Sequence, residues 1–538
     1  MQTYPIPLYT AAKTRALDRL AIEQAGITGF TLMSRAAAVT FQHTMSMWPD
    51  CKRLIVVCGI GNNGGDGYII AQLAHEFGLQ TTVYQLGDLQ KQKGDALTAR
   101  ENLQATGLEI KPFDSQVVFE CDVLVDAMLG TGLERAVDGL WLSAIQSINR
   151  SSAAIVAVDI PSGLNADTGC ELGKAVVANL TVTYIGRKQG LFTAEGKACA
   201  GQIIFEDLNI PCDLHHQIPS TSFLLPDHIN AALKRPRQAN SHKGDHGHVL
   251  LVGGMPGMSG AITLAACAAI RSGCGLVSVA THPLHAVTIT QYQPEIMSHG
   301  IENSEQLTKL IDAVDVIVLG PGLGQGLAQG LAQGLAQDLV QDLVQDLVQD
   351  LEQATWSNMV YQSVISTDKP LIIDADGLNL LARSMWEKPH TQTLEQEIVK
   401  RKENWVLTPH PGEAARLLNC SIKNIQLDRF LSVNNLQKKY GGVCILKGAG
   451  SLISDGHRTN VCPAGNPGMA SAGMGDVLSG VIASVVAQAM QSSLTLLELV
   501  SSAVYLHARA GDEAAKEGGE KGLLASDLFP HLRRLIND

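Results

Sequence analysis

Residues 53–67 read RLIVVCGIGNNGGDG, an apolar run followed by a glycine-rich loop. The apolar run 53–58 predicts a buried β-strand, and residues 68–77 after the loop predict a helix that ends at Gly78. Glycine lets backbone N–H groups approach a ligand closely, and the dipole of a following helix adds partial positive charge at the same place. This succession of strand, loop and helix predicts a seat for a phosphate or pyrophosphate group.

The same strand-and-loop pattern recurs along both halves of the chain. Apolar spacing of three and four residues predicts helices over the first 50 residues. Strands alternating with helices indicate βαβ units, and therefore α/β domains built on parallel sheets that bind ligands beyond the carboxyl ends of their strands. Further strands are predicted at 122–126, 154–159, 180–182, 248–252, 315–319, 371–374, 405–408 and 443–446.

Length, charge and cysteine content limit the possible function classes. At 538 residues the chain exceeds the size of a single core, so we expect two domains, at 1–215 and 225–538, joined by a linker within 211–226. A net charge of −12 argues against a nucleic-acid partner. The first residues lack the apolar core of a secretory signal, no run of 18 apolar residues exists, and the 11 cysteines form no CxxC pair. We therefore expect a cytoplasmic protein with reduced thiols and no membrane partner.

One segment of the second half has low complexity. Leucine recurs at every fourth position from Leu323 to Leu351, first in LAQG and then in LVQD units. On a helix of about 3.6 residues per turn, this period places the leucines on a slow spiral. We favour a tolerated repeat expansion that lengthens a surface helix, and a partner-binding helix remains the alternative.

Two more strand ends of the first half carry oxygen-bearing side chains. Residues 126–132 read DAMLGTG and residues 159–163 read DIPSG. Oxygens of aspartate, serine and Asn63 can coordinate a hard monovalent cation at the edge of the sheet. A lone aspartate at a strand end is often only a helix cap, so a structural role for Asp159 stays open.

Together, GNNGGDG at 61–67, DAMLGTG and DIPSG resemble the NAD(P)H-hydrate epimerase family over residues 1–215. The resemblance implies a Rossmann-like three-layer αβα domain with K⁺ at Asn63, Asp126 and Ser162. It also implies that Asp159 is the acid/base that moves the proton needed to open and re-close C6 of the reduced nicotinamide ring. The residues implied to bind the hydrated dinucleotide are Asn62, Asn63, Gly64, Gly65, Asp66, Gly130, Thr131, Gly132, Leu133, Glu134, Arg135, Ala136 and Asp159.

The strongest motif of the second half is NPGMASAGMGDVLSG at 466–480. Its glycine-rich loop ends at residues 473–476 and runs into an apolar helix. Amides at a helix N-terminus point at an anion, which suits the charge that develops during phosphoryl transfer. Asp476, in the same turn, is placed to take a proton from a hydroxyl, and a simple helix cap is the alternative.

Four further segments follow or precede predicted strands. KGAGS at 447–451 offers a flexible backbone and one cation for a nucleotide. In HPGE at 410–413, His410 is either a helix cap or a substrate ligand. The carboxylates of Asp374 and Asp376 are either structural or near a metal. NSHKG at 240–244 can fold over a site, although it carries little weight alone.

The motifs KGAGS, HPGE and NPGMASAGMGD resemble the ribokinase-like branch that contains ADP/ATP-dependent NAD(P)H-hydrate dehydratases, over residues 225–538. The resemblance implies a ribokinase-like α/β domain that uses Mg²⁺ and ADP as phosphoryl donor, with ATP as the alternative. It implies phosphorylation of the C6 hydroxyl with Asp476 as base, then elimination of phosphate. Nucleotide contacts are implied at Lys447, Gly448, Ala449, Gly450, Ser451 and Gly475, and hydrate contacts at Ala261, Gly324, His410 and Asp476. The 323–351 repeat departs from the family pattern.

The two halves predict one bifunctional repair enzyme. An epimerase supplies the S isomer that a stereospecific dehydratase returns to NADH or NADPH, so hydrated NADH/NADPH and ADP/ATP are the expected partners, in a homo-oligomer. Two rivals remain: a small-molecule kinase of the ribokinase-like class, and an N-terminal domain that acts only as a binding module. An intact glycine loop together with Asp159 argues against the second rival.

Overall fold

A computed structural model of the chain describes residues 5–227, 231–234, 236–324, 355–386, 402–490 and 492–538. The chain divides into two compact units, the first spanning Ile6–Leu224 and the second holding Leu225–Asp538. The division between the units falls within 211–226, the predicted linker, where Asp213–Gln217 form a helix and Ser222–Leu224 form a paired strand.

The first unit is built on a seven-stranded parallel sheet. The sheet consists of β2 (Arg53–Cys58), β3 (Gln80–Gln85), β4 (Ile110–Pro112), β5 (Val123–Ala127), β6 (Ala154–Val158), β7 (Leu180–Tyr184) and β8 (Gln202–Glu206). Two short strands of the unit, β1 (Ile6–Leu8) and β9 (Ser222–Leu224), lie outside this sheet. Its helices are α1 (Ala11–Glu23), α2 (Gly29–Met47), α3 (Asn62–Glu76), α4 (Asp95–Ala105), α5 (Gly139–Arg150), α6 (Gly196–Cys199) and α7 (Asp213–Gln217). The sheet order is β4-β3-β2-β5-β6-β7-β8, and β1 pairs antiparallel with β9.

Alternating residues of β2 show that this sheet is covered on both faces. Leu54 and Val56 pack into one apolar cluster with residues of α1, α2, α3 and α4. Ile55 and Val57 pack into a second cluster with residues of α5. Since successive strand residues point to opposite faces, the two clusters lie on opposite sides of the sheet. The prediction of a Rossmann-like three-layer αβα domain is confirmed.

The loop after β2 is shorter than predicted, because part of the glycine-rich segment is helical. Helix α3 begins at Asn62 and not at Tyr68, so most of these glycines are helical. A Cβ on Gly64 would lie 2.0 Å from the carbonyl oxygen of Gly59, and one on Gly67 would lie 2.5 Å from Cβ of Ala127. Glycine is a poor helix former, but only glycine lets the first turns of α3 approach the strand ends this closely.

Nine strands of the second unit form a sheet. They are β10 (His248–Val252), β11 (Leu276–Thr281), β12 (Met297–Gly300), β13 (Val316–Leu319), β14 (Leu371–Ile373), β15 (Trp405–Leu407), β16 (Val443–Leu446), β17 (Leu452–Ser454) and β18 (Thr459–Val461). Their order across the sheet is β18-β17-β16-β15-β14-β13-β10-β11-β12. Neighbouring strands are parallel except at β16–β17 and β17–β18.

Helices cover this second sheet. They are α8 (Ser259–Arg271), α9 (Ala286–Tyr292), α10 (Ser304–Asp312), α11 (Ala375–Trp386), α12 (Pro411–Leu418), α13 (Ile422–Leu427), α14 (Arg429–Tyr440), α15 (Met474–Gln488), α16 (Leu496–Gly518) and α17 (Leu528–Leu535); residues 355–365 are also helical. Val249 and Leu251 of β10 pack in one apolar cluster with α8, α15 and α16. Helix α15 is buried along most of its length, as expected of a helix that is apolar on nearly every face.

Each sheet has a point where successive crossovers leave in opposite directions. In the first unit it lies between β2 and β5, where the amide of Gly59 donates to the carbonyl of Ala127 over 3.0 Å. In the second it lies between β10 and β13, where the amide of Met255 donates to the carbonyl of Gly322 over 2.7 Å. Open α/β sheets bind ligands in the crevice at this point.

Two sequence predictions concern features outside the sheets. The 323–351 repeat lies outside the described residues beyond Gly324, so a lengthened surface helix stays a prediction. Across the described ranges, no helix is long and apolar enough to span a bilayer.

Candidate active sites

A cavity of about 1010 Å³ opens at the carboxyl ends of β2, β5, β6 and β7 in the first unit. Pockets of this size accept sizeable organic ligands. Of the implied dinucleotide contacts, those that line the cavity are Asn62, Asn63, Asp66, Gly130, Thr131, Gly132, Leu133, Glu134, Arg135, Ala136 and Asp159. Gly64 and Gly65 are not among the lining residues. They are buried against Gly59 and Met33, so they shape the cavity from behind.

Asp159 stands at the end of β6 in an unusual backbone conformation. Its φ of +65° is a left-handed value that non-glycine residues seldom adopt, and such strain is typical of functional sites. Its Oδ1 accepts hydrogen bonds from Lys188 Nζ, from Thr183 Oγ1 at 3.2 Å and from the Tyr184 amide at 3.2 Å. All these bonds fall on Oδ1, so Oδ2 takes none of them.

Lys188 is a candidate functional residue that the sequence analysis missed. It is 1% exposed, and its ammonium forms an ion pair with Asp159 and donates to the carbonyl of Tyr184 over 3.0 Å. These contacts hold the Lys188 ammonium against Oδ1 of Asp159. The sequence did contain a hint, since Lys188 lies in a short segment between Gly186 and Gly190 directly after β7.

Asp126 and Ser162 form a buried polar pair beside the glycine loop. Asp126 Oδ1 accepts from Ser162 Oγ at 2.6 Å, and Oδ2 accepts from the Ser162 amide at 2.8 Å. Burial raises the pKa of Asp126 to about 6, although the bonds from Ser162 act in the opposite direction. The Leu129 amide also donates to Ser162 Oγ, which joins the loop after β5 to this pair.

Asn63 completes the set of predicted cation ligands. Its side-chain nitrogen is buried without a hydrogen-bond partner among the described residues, and a Cβ on Gly130 would lie 3.8 Å from its Oδ1. Over the same residues, no group of three or more His, Cys, Asp or Glu is arranged to hold a metal ion. One carboxylate with amide and hydroxyl oxygens fits a cation of single charge better than a transition metal.

In the second unit, Asp476 lies in the first turn of α15. The helix starts after Gly473, whose φ is +86° and whose Cβ would lie 2.6 Å from Leu264 Cδ1. Within the described ranges, no hydrogen bond or ion pair reaches the Asp476 carboxylate. Burial and the charge of Asp374 raise the pKa of Asp476 to about 7, while Lys447 lowers it. A carboxyl group tuned near neutral pH suits general-base chemistry.

A buried ion pair lies directly behind this turn. Asp374 Oδ1 accepts from Lys447 Nζ at 2.9 Å, and Oδ2 accepts from Ser479 Oγ at 2.5 Å. Burial alone would raise the pKa of Asp374, but Lys447 and Ser479 hold it below its usual value. A Cβ on Gly475 would lie 3.2 Å from Lys447 Nζ. Asp374 thus has two hydrogen-bond partners within the fold, and a nucleotide contact through Lys447 stays a prediction.

The KGAGS loop is tied down and not flexible. The Gly448 amide donates to Ser451 Oγ at 3.3 Å, and Ser451 Oγ donates to the Gly448 carbonyl at 3.1 Å. Arg429, which is 1% exposed, donates to the carbonyls of Leu446 and Lys447 over 3.1 and 3.4 Å. This fixes the backbone of the loop that includes Ala449 and Gly450.

His410 caps α12 and leaves one ring nitrogen outside the cap. Its Nδ1 accepts from the amides of Gly412 and Glu413 at 2.9 and 3.4 Å, and Glu413 Oε2 accepts from the His410 amide at 2.8 Å. The side chain is 51% exposed, and Nε2 lies 3.5 Å from Glu413 Oε1. Burial raises the pKa of Glu413 to about 7, against the effect of Lys447. The structure confirms that His410 caps α12, and a substrate contact through its Nε2 stays a prediction.

The loop after β13 brings Gly324 and Ala261 to the same edge of the sheet. The Gly324 amide donates to Asp376 Oδ2 at 2.9 Å, and a Cβ on Gly322 would lie 3.4 Å from Cβ of Ala261. The charge of Asp376 contributes to the raised pKa of Asp476, so these groups are neighbours.

The NSHKG segment is wrongly predicted to fold over the site. It leads into a turn at Lys243–His246, and Gly247 after that turn packs against Ala487. Ala487 is at the opposite end of α15 from Asp476.

Known proteins resemble both units of this chain. Residues 249–534 match the family described as NAD(P)H-hydrate dehydratase, and residues 29–190 match the family described as YjeF-related protein N-terminus. The bifunctional NAD(P)H-hydrate repair enzyme Nnr of Coxiella burnetii is 42% identical over 531 residues, covering 98% of this chain and 99% of that protein. The chain belongs to the family of bifunctional NAD(P)H-hydrate repair enzymes. It therefore carries the epimerase and the dehydratase of that family in one polypeptide.

Other relatives of the repair-enzyme family extend over the same length. The Nnr protein of Escherichia coli is 36% identical and covers 99% of this chain and 94% of its own length. Among solved structures, an ADP/ATP-dependent NAD(P)H-hydrate dehydratase from Bacillus subtilis, co-crystallised with ATP and Mg²⁺, is 26% identical, covering 56% of this chain and 92% of that one with a TM-score of 0.42. A hypothetical protein from Streptococcus mutans is 28% identical, covering 58% and 98%, with a TM-score of 0.46.

Proposed function

We propose that the first unit interconverts the R and S hydrates of NADH and NADPH, with Asp159 as the proton-transfer group. The observation that carries this proposal is the ion pair of Asp159 with buried Lys188 at the rim of a cavity of about 1010 Å³. Lys188 orients Asp159 through Oδ1, so that Oδ2 of the carboxylate can take the proton of the C6 hydroxyl. Loss of that proton opens the ring at C6, and closure from the other face inverts the centre.

The loops around the cavity bind the rest of the dinucleotide in this proposal. The N-terminal turn of α3 presents amides and positive dipole at Asn62 and Asn63, where a pyrophosphate is favoured. Asn63, Asp126 and Ser162 would hold K⁺ there, and the ion would supply one positive charge beside the anionic substrate.

We further propose that the second unit dehydrates the S hydrate with ADP, or alternatively ATP, in two steps. Asp476 takes the proton of the C6 hydroxyl while the hydroxyl oxygen attacks the terminal phosphoryl group, whose bond to the rest of the nucleotide breaks. Phosphate then leaves C6 and a proton leaves C5, so that the C5=C6 double bond of the reduced ring forms again. The amides of residues 473–476 face the charge that builds up on phosphorus, with the Lys447 ammonium behind Gly475. Mg²⁺ would enter with the nucleotide, whose phosphates supply most of its ligands.

Other residues near Asp476 would bind the nucleotide and the hydrate in this proposal. The fixed KGAGS backbone at 448–451 binds the nucleotide, while Ala261, Gly324 and His410 border the hydrate. A cytoplasmic homo-oligomer is part of the proposal, and light scattering on the purified protein tests the oligomeric state.

Two variants of the full chain test the proposal together. Resolved R and S hydrates are followed by chiral chromatography, with and without ADP or ATP. Asp159→Asn is expected to stop interconversion while S hydrate is still dehydrated, and Asp476→Asn is expected to do the reverse. Loss of both activities in either variant, or of neither, overturns the assignment of the two sites.

A further inference from the structure

The cavity of the first unit holds more carboxyl groups than the proposed mechanism uses. Asp18 from α1 and Asp66 from α3 line the same cavity as Asp159. Lys188 also lines the cavity, and its ammonium group is deeply buried and forms an ion pair with Asp159. Within the described ranges, neither Asp18 nor Asp66 has a hydrogen bond or an ion pair of its own.

Burial and neighbouring carboxylates disfavour the ionised form of a carboxyl group, while neighbouring cations favour it. Burial raises the pKa of Asp18 to about 6; Asp159 adds to this rise, while Lys188 and Arg15 oppose it. Burial, with the charges of Asp159 and Asp18, raises the pKa of Asp66 well above its usual value. The pair Asp159–Lys188 therefore provides the base, and the other two carboxyl groups can hold protons.

Position separates the two remaining candidates. Asp66 lies deep at the strand ends, where its charge raises the pKa of Cys58 and of Tyr184. Asp18 belongs to a face of α1 whose residues, at helical spacing, form one wall of the cavity: Thr14, Arg15, Asp18 and Ile22. This wall belongs to a helix that is separate from the strand end carrying Asp159, so the two groups can act on different atoms of one ring.

The chemistry of the hydrate requires a second proton transfer. C6 bears a hydroxyl and is bonded to the ring nitrogen N1, so opening the ring breaks the hydroxyl O–H bond and the C6–N1 bond. The C6=O double bond forms, and N1 must gain a proton to leave as an amine. Closure on the opposite face of C6 reverses each of these steps, and no oxidant or further reactant is needed.

We propose that Asp18 is the second proton-transfer residue of the epimerase, giving its proton to N1 while Asp159 removes the proton of the C6 hydroxyl. On closure, Asp18 takes the N1 proton back and Asp159 returns the other. This rests on the proposed epimerase activity and adds the group that serves the nitrogen. The other charged groups around the cavity are Arg15, Asp66, Asp95, Glu134, Arg135, Asp138 and Lys188.

The test compares Asp18→Asn with the matched variant Asp95→Asn, which changes an aspartate lining the same cavity. Asp18→Asn is expected to lower kcat for interconversion by about 100-fold while KM stays within about threefold, because general acid catalysis is lost and binding is not. Asp18→Glu should recover part of kcat. Wild-type kcat should fall as pH rises above about 6, and Asp18→Asn should lack this fall. Asp95→Asn should match wild type within about threefold.

The dehydratase activity of the same samples shows whether each variant is folded. The proposal is overturned if Asp18→Asn keeps wild-type kcat, changes only KM, or retains the fall in rate above pH 6. It is also overturned if Asp66→Asn, and not Asp18→Asn, removes that fall. If wild-type protein fails to interconvert the hydrates, the proposed epimerase function itself fails; if Asp159→Asn is inactive and Asp18→Asn is active, only this inference fails.

Discussion

Single residues in the two sites balance their charge in different ways. Asp159 forms an ion pair with buried Lys188, whereas Asp476 has no ion pair among the described residues and has a pKa raised to about 7. The first carboxyl group is held by a buried ion pair, and the second has its point of titration near neutral pH. The two activities should therefore depend on pH in different ways.

The dehydratase should lose activity on the acid side of neutrality. Asp476 acts as a base only when ionised, so kcat/KM for S hydrate should rise with pH and level off above about 7, with about a tenfold loss for each unit below. The measurement is a pH profile at limiting hydrate and saturating nucleotide. A profile that is flat between about pH 5 and 8 contradicts the role of Asp476 as base.

Replacing Lys188 should lower the stability of the first unit. Lys188→Met leaves Asp159 without its partner in a mostly buried place, and we expect a loss of about 3 kcal/mol in the free energy of unfolding of the first unit. The control is Lys174→Met, because the Lys174 side chain is exposed and its pair with partly buried Glu171 should be worth less than about 1 kcal/mol. Denaturant unfolding compares the two, and equal losses would count against a special role for the buried pair.

The sequence predicted the aspartates better than their partners. Asp159 and Asp476 follow recognisable strand and glycine patterns, so their place at the sheet edges could be inferred. Lys188 could not be inferred in the same way, because its ammonium reaches back to Asp159 across 29 residues. The ion pair of Lys447 with Asp374 could not be inferred either, since the two residues are 73 positions apart in the chain.

Helix α3 is the element whose packing depends most on glycine. A Cβ at Gly64 would lie 2.0 Å from the Gly59 carbonyl oxygen, whereas a Cβ at Gly61 would meet nothing within 4 Å. The two positions are three residues apart in the same motif, yet only one is required by close packing.

Gly64→Ala and Gly61→Ala should therefore behave differently. We expect Gly64→Ala to destabilise the first unit by about 2 kcal/mol and to abolish epimerisation, because the first turn of α3 must move away from β2. Gly61→Ala should cost less than about 1 kcal/mol. Thermal unfolding and the epimerase assay test the pair. Equal behaviour of the two variants would show that the glycines serve backbone flexibility and not packing.

Element predictions succeeded where apolar runs were long. Strands β2, β10 and β16 have the predicted bounds, because each is a run of four to six mostly apolar residues. Strands β17 and β18 were missed, since each has three residues with polar members such as Ser454 and Asn460. The start of α3 was misplaced because glycine content indicates a loop unless the tight contact with β2 is known.

At the scale of the whole molecule, each unit has its own proposed site at the crossover point of its own sheet. The bifunctional interpretation depended on this repetition, and membership of the repair-enzyme family confirms it. The first site changes the configuration of C6 and the second removes its hydroxyl, so the product of one is the substrate of the other.

The central claim is that one chain repairs both isomers, and recovery of reduced nicotinamide from an equal mixture of R and S hydrates tests it directly. With K⁺, Mg²⁺ and ADP or ATP, wild-type protein should restore the absorbance of the reduced ring completely and faster than spontaneous epimerisation allows. Asp159→Asn should recover about half at once and the rest only at the rate of spontaneous epimerisation. If wild-type protein shows the same slow second half, or if Asp159→Asn recovers both isomers at the wild-type rate, the account is contradicted.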